Sequence, residues 1–143
     1  VKLKRYTGKS IRYIPTLLVW HHRRAGILSH LKQVGAYGLH RGHFFRIYPE
    51  NSRKLKYLLP SGLFLAFLVG LISIILNLSS LYVWSPLVIA YGVALAIAFI
   101  EIKRFEGVRV AMAAVGYIPL THMYYGLRFI QGFMIRKLIS KLR

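Results

Sequence analysis

Aspartate is absent from this chain of 143 residues, and glutamate occurs only as Glu50, Glu101 and Glu106. Most hydrolases, metal-dependent transferases and phosphotransferases bring two or more carboxylates into one site. On its own, the chain is poorly equipped for such chemistry. Cysteine is absent too, which excludes a disulfide framework and thiolate catalysis. Between residues 57 and 100 there is no charged side chain of either sign. That last absence organises everything else.

The uncharged stretch holds two apolar runs, 58–78 and 83–100, with Ser79 and Ser80 between them and Trp84, Ser85 and Pro86 at the start of the second. At 1.5 Å per residue each run makes a helix ~27–30 Å long, the hydrocarbon thickness of a bilayer. A helix on a soluble core keeps a polar stripe, and neither run has one. A fully buried helical hairpin is the alternative, but a chain this short has too little other protein to cover two such helices. The reading is a transmembrane helical hairpin.

The rest of the chain is basic. Lys and Arg number 21, the formal net charge is +18 and the isoelectric point is about 10.8. Such values suit nucleic-acid binding, but the charge is not spread over a folded surface. It brackets the uncharged hairpin, as cytoplasmic flanks beside a membrane do, and there it meets anionic headgroups. Membrane lipids, not nucleic acid, are the expected partner. The first residue is Val and no signal peptide precedes it, so the chain reads as part of something longer.

Before the hairpin, residues 10–13 and 16–20 read as short extended pieces around Pro15, rich in β-formers but without a sheet to join. From 25 to 43, Ile27, Leu28, Leu31, Val34 and Leu39 recur at helical spacing among basic and polar residues. Gly35, Gly38 and Gly42 dilute that helix, each at ~1 kcal/mol relative to Ala. A basic amphipathic helix of this type lies in the membrane interface, where Phe44, Phe45, Tyr48 and Tyr57 add aromatic anchors. Residues 49–52 form a turn with helix-start chemistry. After the hairpin, residues 108–135 make a third apolar stretch containing Arg109, Pro119, His122, Arg128 and Gln131. Pro119 kinks or breaks a helix there. The predicted fold is therefore an all-α membrane protein: a transmembrane hairpin plus a kinked third membrane helix, preceded by a basic interfacial helix and a short extended N-terminal segment.

Several short motifs now fall into order. Ile11-Arg12-Tyr13-Ile14-Pro15 with Val19-Trp20-His21-His22-Arg23-Arg24 resembles the end of the catalytic domain in membrane-bound family-2 glycosyltransferases. Leu31-Lys32-Gln33, Tyr37-Gly38 and Arg41-Gly42 are similar to the helix that follows in that family. His122-Met123-Tyr124-Tyr125-Gly126-Leu127 with Gln131-Gly132 resembles its last membrane segment, although Arg128 stands where Gly is commoner. The resemblance implies three parts: 1–24 as the remnant of a catalytic domain's end, 25–56 as basic helix and linker, and 57–143 as membrane domain. It also implies that the DxD motif and the catalytic base lie upstream.

On that resemblance, His21 is the candidate ligand to a divalent metal, Mn or Mg, in the parent enzyme. Neutral imidazole suits Mn²⁺ as one ligand among carboxylates, so this chain alone holds no metal tightly. Arg23, Arg24, Gln33, Tyr37 and Arg41, with Lys32, are candidates for a diphosphate, on a nucleotide-sugar or a polyprenyl acceptor at the membrane surface. Arg offers bidentate bonds to phosphate and Gln and Tyr add neutral donors; a solvated basic face touching headgroups is the plainer alternative. His122 and Arg128 could line a polar groove, or simply be satisfied locally. Gly62, Gly70, Gly116, Gly126 and Gly132 suggest close helix packing.

The expected function is the membrane-anchoring, acceptor-presenting portion of a family-2 glycosyltransferase of polysaccharide biosynthesis at the cell envelope. It would serve transfer from a nucleotide-sugar to a lipid-linked or polysaccharide acceptor. A self-standing basic membrane protein binding anionic lipid or a partner helix is the rival. The expected topology is two crossings in the plasma or inner membrane, with both basic flanks cytoplasmic.

Overall fold

The computed structural model describes residues 8, 14–18, 26–77 and 81–136. Among them there are five helices and no strand: α1 (Ile27–Ile47), α2 (Pro49–Ser52), α3 (Leu55–Ile75), α4 (Leu81–Glu106) and α5 (Val108–Met134). The all-α class stands. The extended amino-terminal segment does not appear where it is described: at residues 14–18 the Leu17 N–H closes a turn onto the Ile14 carbonyl at 3.2 Å. Pro15 sits at the second position of that turn, the place its fixed φ favours. Residues 10–13, 19 and 20 lie outside the described residues.

α3 and α4 are long and apolar enough to cross a membrane. Only Ser61 and Gly70 of α3 are buried, and no residue of α4 is. A soluble core helix of this length would have its apolar side chains covered by protein; these leave theirs uncovered. The two helices touch through side chains. Trp84 lies over Gly70, and its Nε1–H donates to Ser73 Oγ at 2.9 Å. Phe67 and Tyr91 meet edge to face with centroids 5.9 Å apart. α3 ends on Asn77 at φ 54, a left-handed position that Asn tolerates.

α4 begins earlier than its apolar run suggested and takes in Trp84, Ser85 and Pro86. Proline there removes the N–H that would reach the Tyr82 carbonyl. The Ser85 hydroxyl donates to that same carbonyl at 2.9 Å, so the helix continues without an orphan acceptor. α5 likewise runs without interruption through Pro119; the chain does not turn back there. One residue, Gly107, joins α4 to α5. Its φ of 85° with ψ 171° is a backbone state open essentially to glycine alone.

α5 is the shared element. It packs against α1, α3 and α4, most extensively against α1. Gly35 of α1 faces Tyr124, Gly38 faces Tyr125 and Arg128, and Gly42 faces Phe129 and Phe133. The partners advance in step, so α1 and α5 run parallel. A Cβ on Gly38 would stand 2.6 Å from the Tyr125 carbonyl oxygen; one on Gly42 or Gly132 would overlap the Phe129 or Leu39 carbonyl outright. The buried face of α1 is thus Gly35, Gly38, Gly42 and His43, not its leucines, and Leu28 is 73% exposed. Gly70 and Gly126 also meet close neighbours, whereas Gly62 and Gly116 face open space.

The end of α5 is pinned to the end of α1. Arg46 donates to the Phe133 and Ile135 carbonyls at 3.0 and 2.7 Å, and His43 Nδ1 donates to the Ile135 carbonyl at 3.1 Å. These are carbonyls that a helix leaves without internal partners, and a cation suits that end of the dipole.

Candidate functional site

Of the phosphate candidates, Lys32, Gln33, Tyr37 and Arg41 are described, all on α1. Gln33, Tyr37 and Arg41 follow one another at intervals of four on α1, which places them on one face. Gln33 Nε2 donates to the Tyr37 hydroxyl at 3.2 Å. Arg41 lies over the Tyr57 ring with 4.0 Å to its centroid, close enough for a cation–π contact. The other two, Arg23 and Arg24, and the metal candidate His21 lie outside the described residues.

A cleft of about 600 Å³ opens on this face, lined by Tyr37, His40, Arg41, Phe44, Lys54 and Tyr57. That volume is within the usual range for small-ligand sites. No carboxylate lines it. Arg41 and Lys54 supply fixed positive charge, and Lys56 Nζ stands 5.2 Å from the Tyr57 ring centre on the same turn of chain. The contact with Tyr57 holds the Arg41 guanidinium at the cleft, and its planar fork suits a bidentate phosphate contact. Tyr37 and His40 add hydrogen-bonding groups beside it. The chemistry available here is binding of an anion, with a phosphate group the best match. Lys32 does not line the cleft.

His40, Lys54 and Tyr57 were not among the sequence candidates. Lys54 and Tyr57 reach the cleft because α2 turns the chain back after α1, its helix starting on Pro49 as a first-turn proline does. The turn was readable in the sequence, but its direction was not.

His122 and Arg128 bond to different partners. The His122 Nδ1 pairs with the Tyr91 hydroxyl of α4 at 3.0 Å, and Arg128 donates to Gln131 on its own helix. Among the described residues no three His, Cys, Asp or Glu side chains come together as a metal site would need. The divalent metal of the sequence reading therefore has no donor set among the described residues.

The basic end of the structure is also where α3 starts and α5 finishes. Leu58 and Phe133 line one groove there, and Phe45 packs edge to face on Phe129 and Phe133. Arg41, Arg46, Arg53, Lys54, Lys56 and Arg136 consequently cluster at one end of the fold. No family model matches the chain, and no curated protein or solved structure matches it either.

Proposed function

We propose that this chain anchors a family-2 glycosyltransferase in the membrane and presents a phosphate-bearing acceptor to it. The single observation that carries the reading is the cleft. Tyr37 and Arg41, singled out by the resemblance, converge with Lys54 and Tyr57 on one carboxylate-free basic site at the start of α3, and Gln33 holds the Tyr37 hydroxyl from beside it. In this reading α3 and α4 form the transmembrane hairpin, and the basic end faces the cytoplasmic headgroups, where each cation contributes roughly 1 kcal/mol of attraction to anionic lipid. The nucleotide-sugar and the divalent metal belong to an upstream catalytic domain, with His21 at its edge. The coding frame upstream of Val1 tests this. A continuous frame encoding a strand-rich domain with a DxD motif is expected; a start codon at Val1 would leave only the self-standing membrane protein.

The juxtaposition of chain ends supports a topology as well. With α3 and α4 as the two crossings, the unbroken α5 starts one residue after α4 and ends beside the first turn of α3; in this reading it adds no third crossing, so both basic flanks fall on one side of the bilayer. Thirteen of the 21 basic residues precede Tyr57, and by the positive-inside tendency that side is cytoplasmic. A reporter active only in the cytoplasm, fused after Arg143, is expected to be active. An inactive fusion there, with an active one after Arg104, would place the carboxy terminus outside.

A further inference from the structure

The cleft that opens on α1 has two unlike walls. Arg41 and Lys54 make the cationic one, Arg41 from α1 and Lys54 from the residue that opens α3. Tyr37, His40 and Phe44 make the aromatic one, all from α1. At spacings of three and four they share a helix face. Phe44 is held among rings, with centroids 6.0 Å from His40 and 5.6 Å from Tyr48. Tyr37 is held by Gln33, whose Nε2 donates to its hydroxyl. That hydroxyl still has its own O–H to give. Tyr37 is 59% exposed and Phe44 37%, so this wall offers ring surface that a ligand can reach.

A phosphate monoester would use the cationic wall alone and leave most of the cleft's 600 Å³ unfilled. The two ends of the cleft say what else belongs there. Leu55 follows Lys54, starts α3 and is 73% exposed. In the membrane reading a lipid chain leaves the cleft on that side. One turn beyond Tyr37, at the other end, come Gln33 and beside it Lys32, both exposed. The aromatic wall therefore opens onto a polar surface, not onto hydrocarbon. The group it takes has an apolar face and polar edges. A sugar ring is such a group: its C–H face packs on an aromatic ring, and its hydroxyls pair with the Tyr37 O–H and an His40 ring nitrogen. The two cations stand on separate chain segments. An Arg fork and a Lys point charge so placed suit two phosphate groups in series.

We propose that the cleft takes a lipid-linked glycosyl diphosphate: one phosphate on Arg41, the other on Lys54, the sugar against Tyr37 and Phe44, and the lipid chain leaving past Leu55. The inference rests on the phosphate reading of the cleft and narrows it, since the acceptor presented already carries a sugar.

The test is titration of the chain, held in phosphatidylcholine nanodiscs at fixed salt, with three short-chain probes: polyprenyl phosphate, polyprenyl diphosphate and polyprenyl-diphospho-glucose. The diphosphate is expected to bind at least about tenfold tighter than the monophosphate, the scale of one charged hydrogen bond. The glucosyl form is expected to bind about threefold tighter again, the scale of one ring contact. Lys54→Gln is expected to erase the diphosphate's advantage over the monophosphate. Tyr37→Ala, or Phe44→Ala on the same wall, is expected to erase the glucosyl form's advantage over the diphosphate. Both readouts are ratios within one variant, so a general loss of affinity does not imitate them. A wild type that binds the diphosphate no tighter than the monophosphate, or the glucosyl form no tighter than the diphosphate, overturns the inference, as do advantages that survive these substitutions. Saturable binding of the monophosphate in that case leaves the phosphate reading standing. No saturable binding of any probe overturns both.

Discussion

Gly42→Ala and Gly132→Ala are each expected to lower stability in detergent by roughly 1–3 kcal/mol, the usual cost of forcing atoms into a packed contact. The added methyl group at either position falls on a carbonyl of the opposing helix, so backbone and not a flexible side chain has to move. Gly62→Ala and Gly116→Ala make the same chemical change where nothing stands within 4 Å. There the methyl group meets no neighbour, and alanine is the better helix former by up to ~1 kcal/mol. The two pairs should therefore shift the unfolding midpoint in opposite directions, or at least leave the second pair unmoved. Denaturant or thermal unfolding, followed by helical signal, measures both. If all four variants shift alike, α1 does not dock on α5 through its glycines, and the cleft on α1 loses the support that positions it.

The second large effect concerns that cleft. In the parent enzyme that the proposed function implies, Arg41→Lys keeps the charge but loses the planar fork. A hydrogen bond to a charged group contributes about 1.5–3 kcal/mol, so the acceptor's apparent affinity is expected to fall at least about tenfold. Gln33→Ala removes the Nε2 donor that holds the Tyr37 hydroxyl, and its effect should be smaller, about threefold to tenfold on the scale of one ordinary hydrogen bond. Kinetics with varied acceptor and then varied nucleotide-sugar separate the roles. A change confined to the acceptor supports the cleft as its phosphate site, and wild-type rates in both variants would reduce the cleft to a solvated basic face.

The helices were legible because their signals are local. An uncharged stretch of the right length reads as two apolar helices, and two helices long and apolar enough to cross a membrane form there, displaced by a few residues. Ser85 explains one displacement: its hydroxyl repairs the bond that Pro86 removes, and only the folded helix reveals that pairing. The glycines of α1 were harder. In sequence they count as a loss of helix stability, while the leucines mark the expected buried face. In the fold the order reverses, because the partner helix approaches closely enough that only glycine fits. That approach depends on α5, far along the chain, which no periodicity within α1 encodes. The cleft was half legible for the same reason. Tyr37 and Arg41 share a helix face by spacing, with Gln33 one turn before them, whereas Lys54 and Tyr57 arrive from beyond a turn whose direction is set by packing.

Binding of a short-chain polyprenyl phosphate, against the matched polyprenol, tests the phosphate site most directly. The chain would be held in phosphatidylcholine nanodiscs and titrated with each ligand at fixed salt, for the wild type and for Arg41→Lys. Saturable binding of the phosphate form, weakened at least about tenfold by Arg41→Lys, with no saturable binding of the polyprenol, is the predicted result. Equal binding of the two ligands, or a phosphate affinity that Arg41→Lys leaves unchanged, would contradict it.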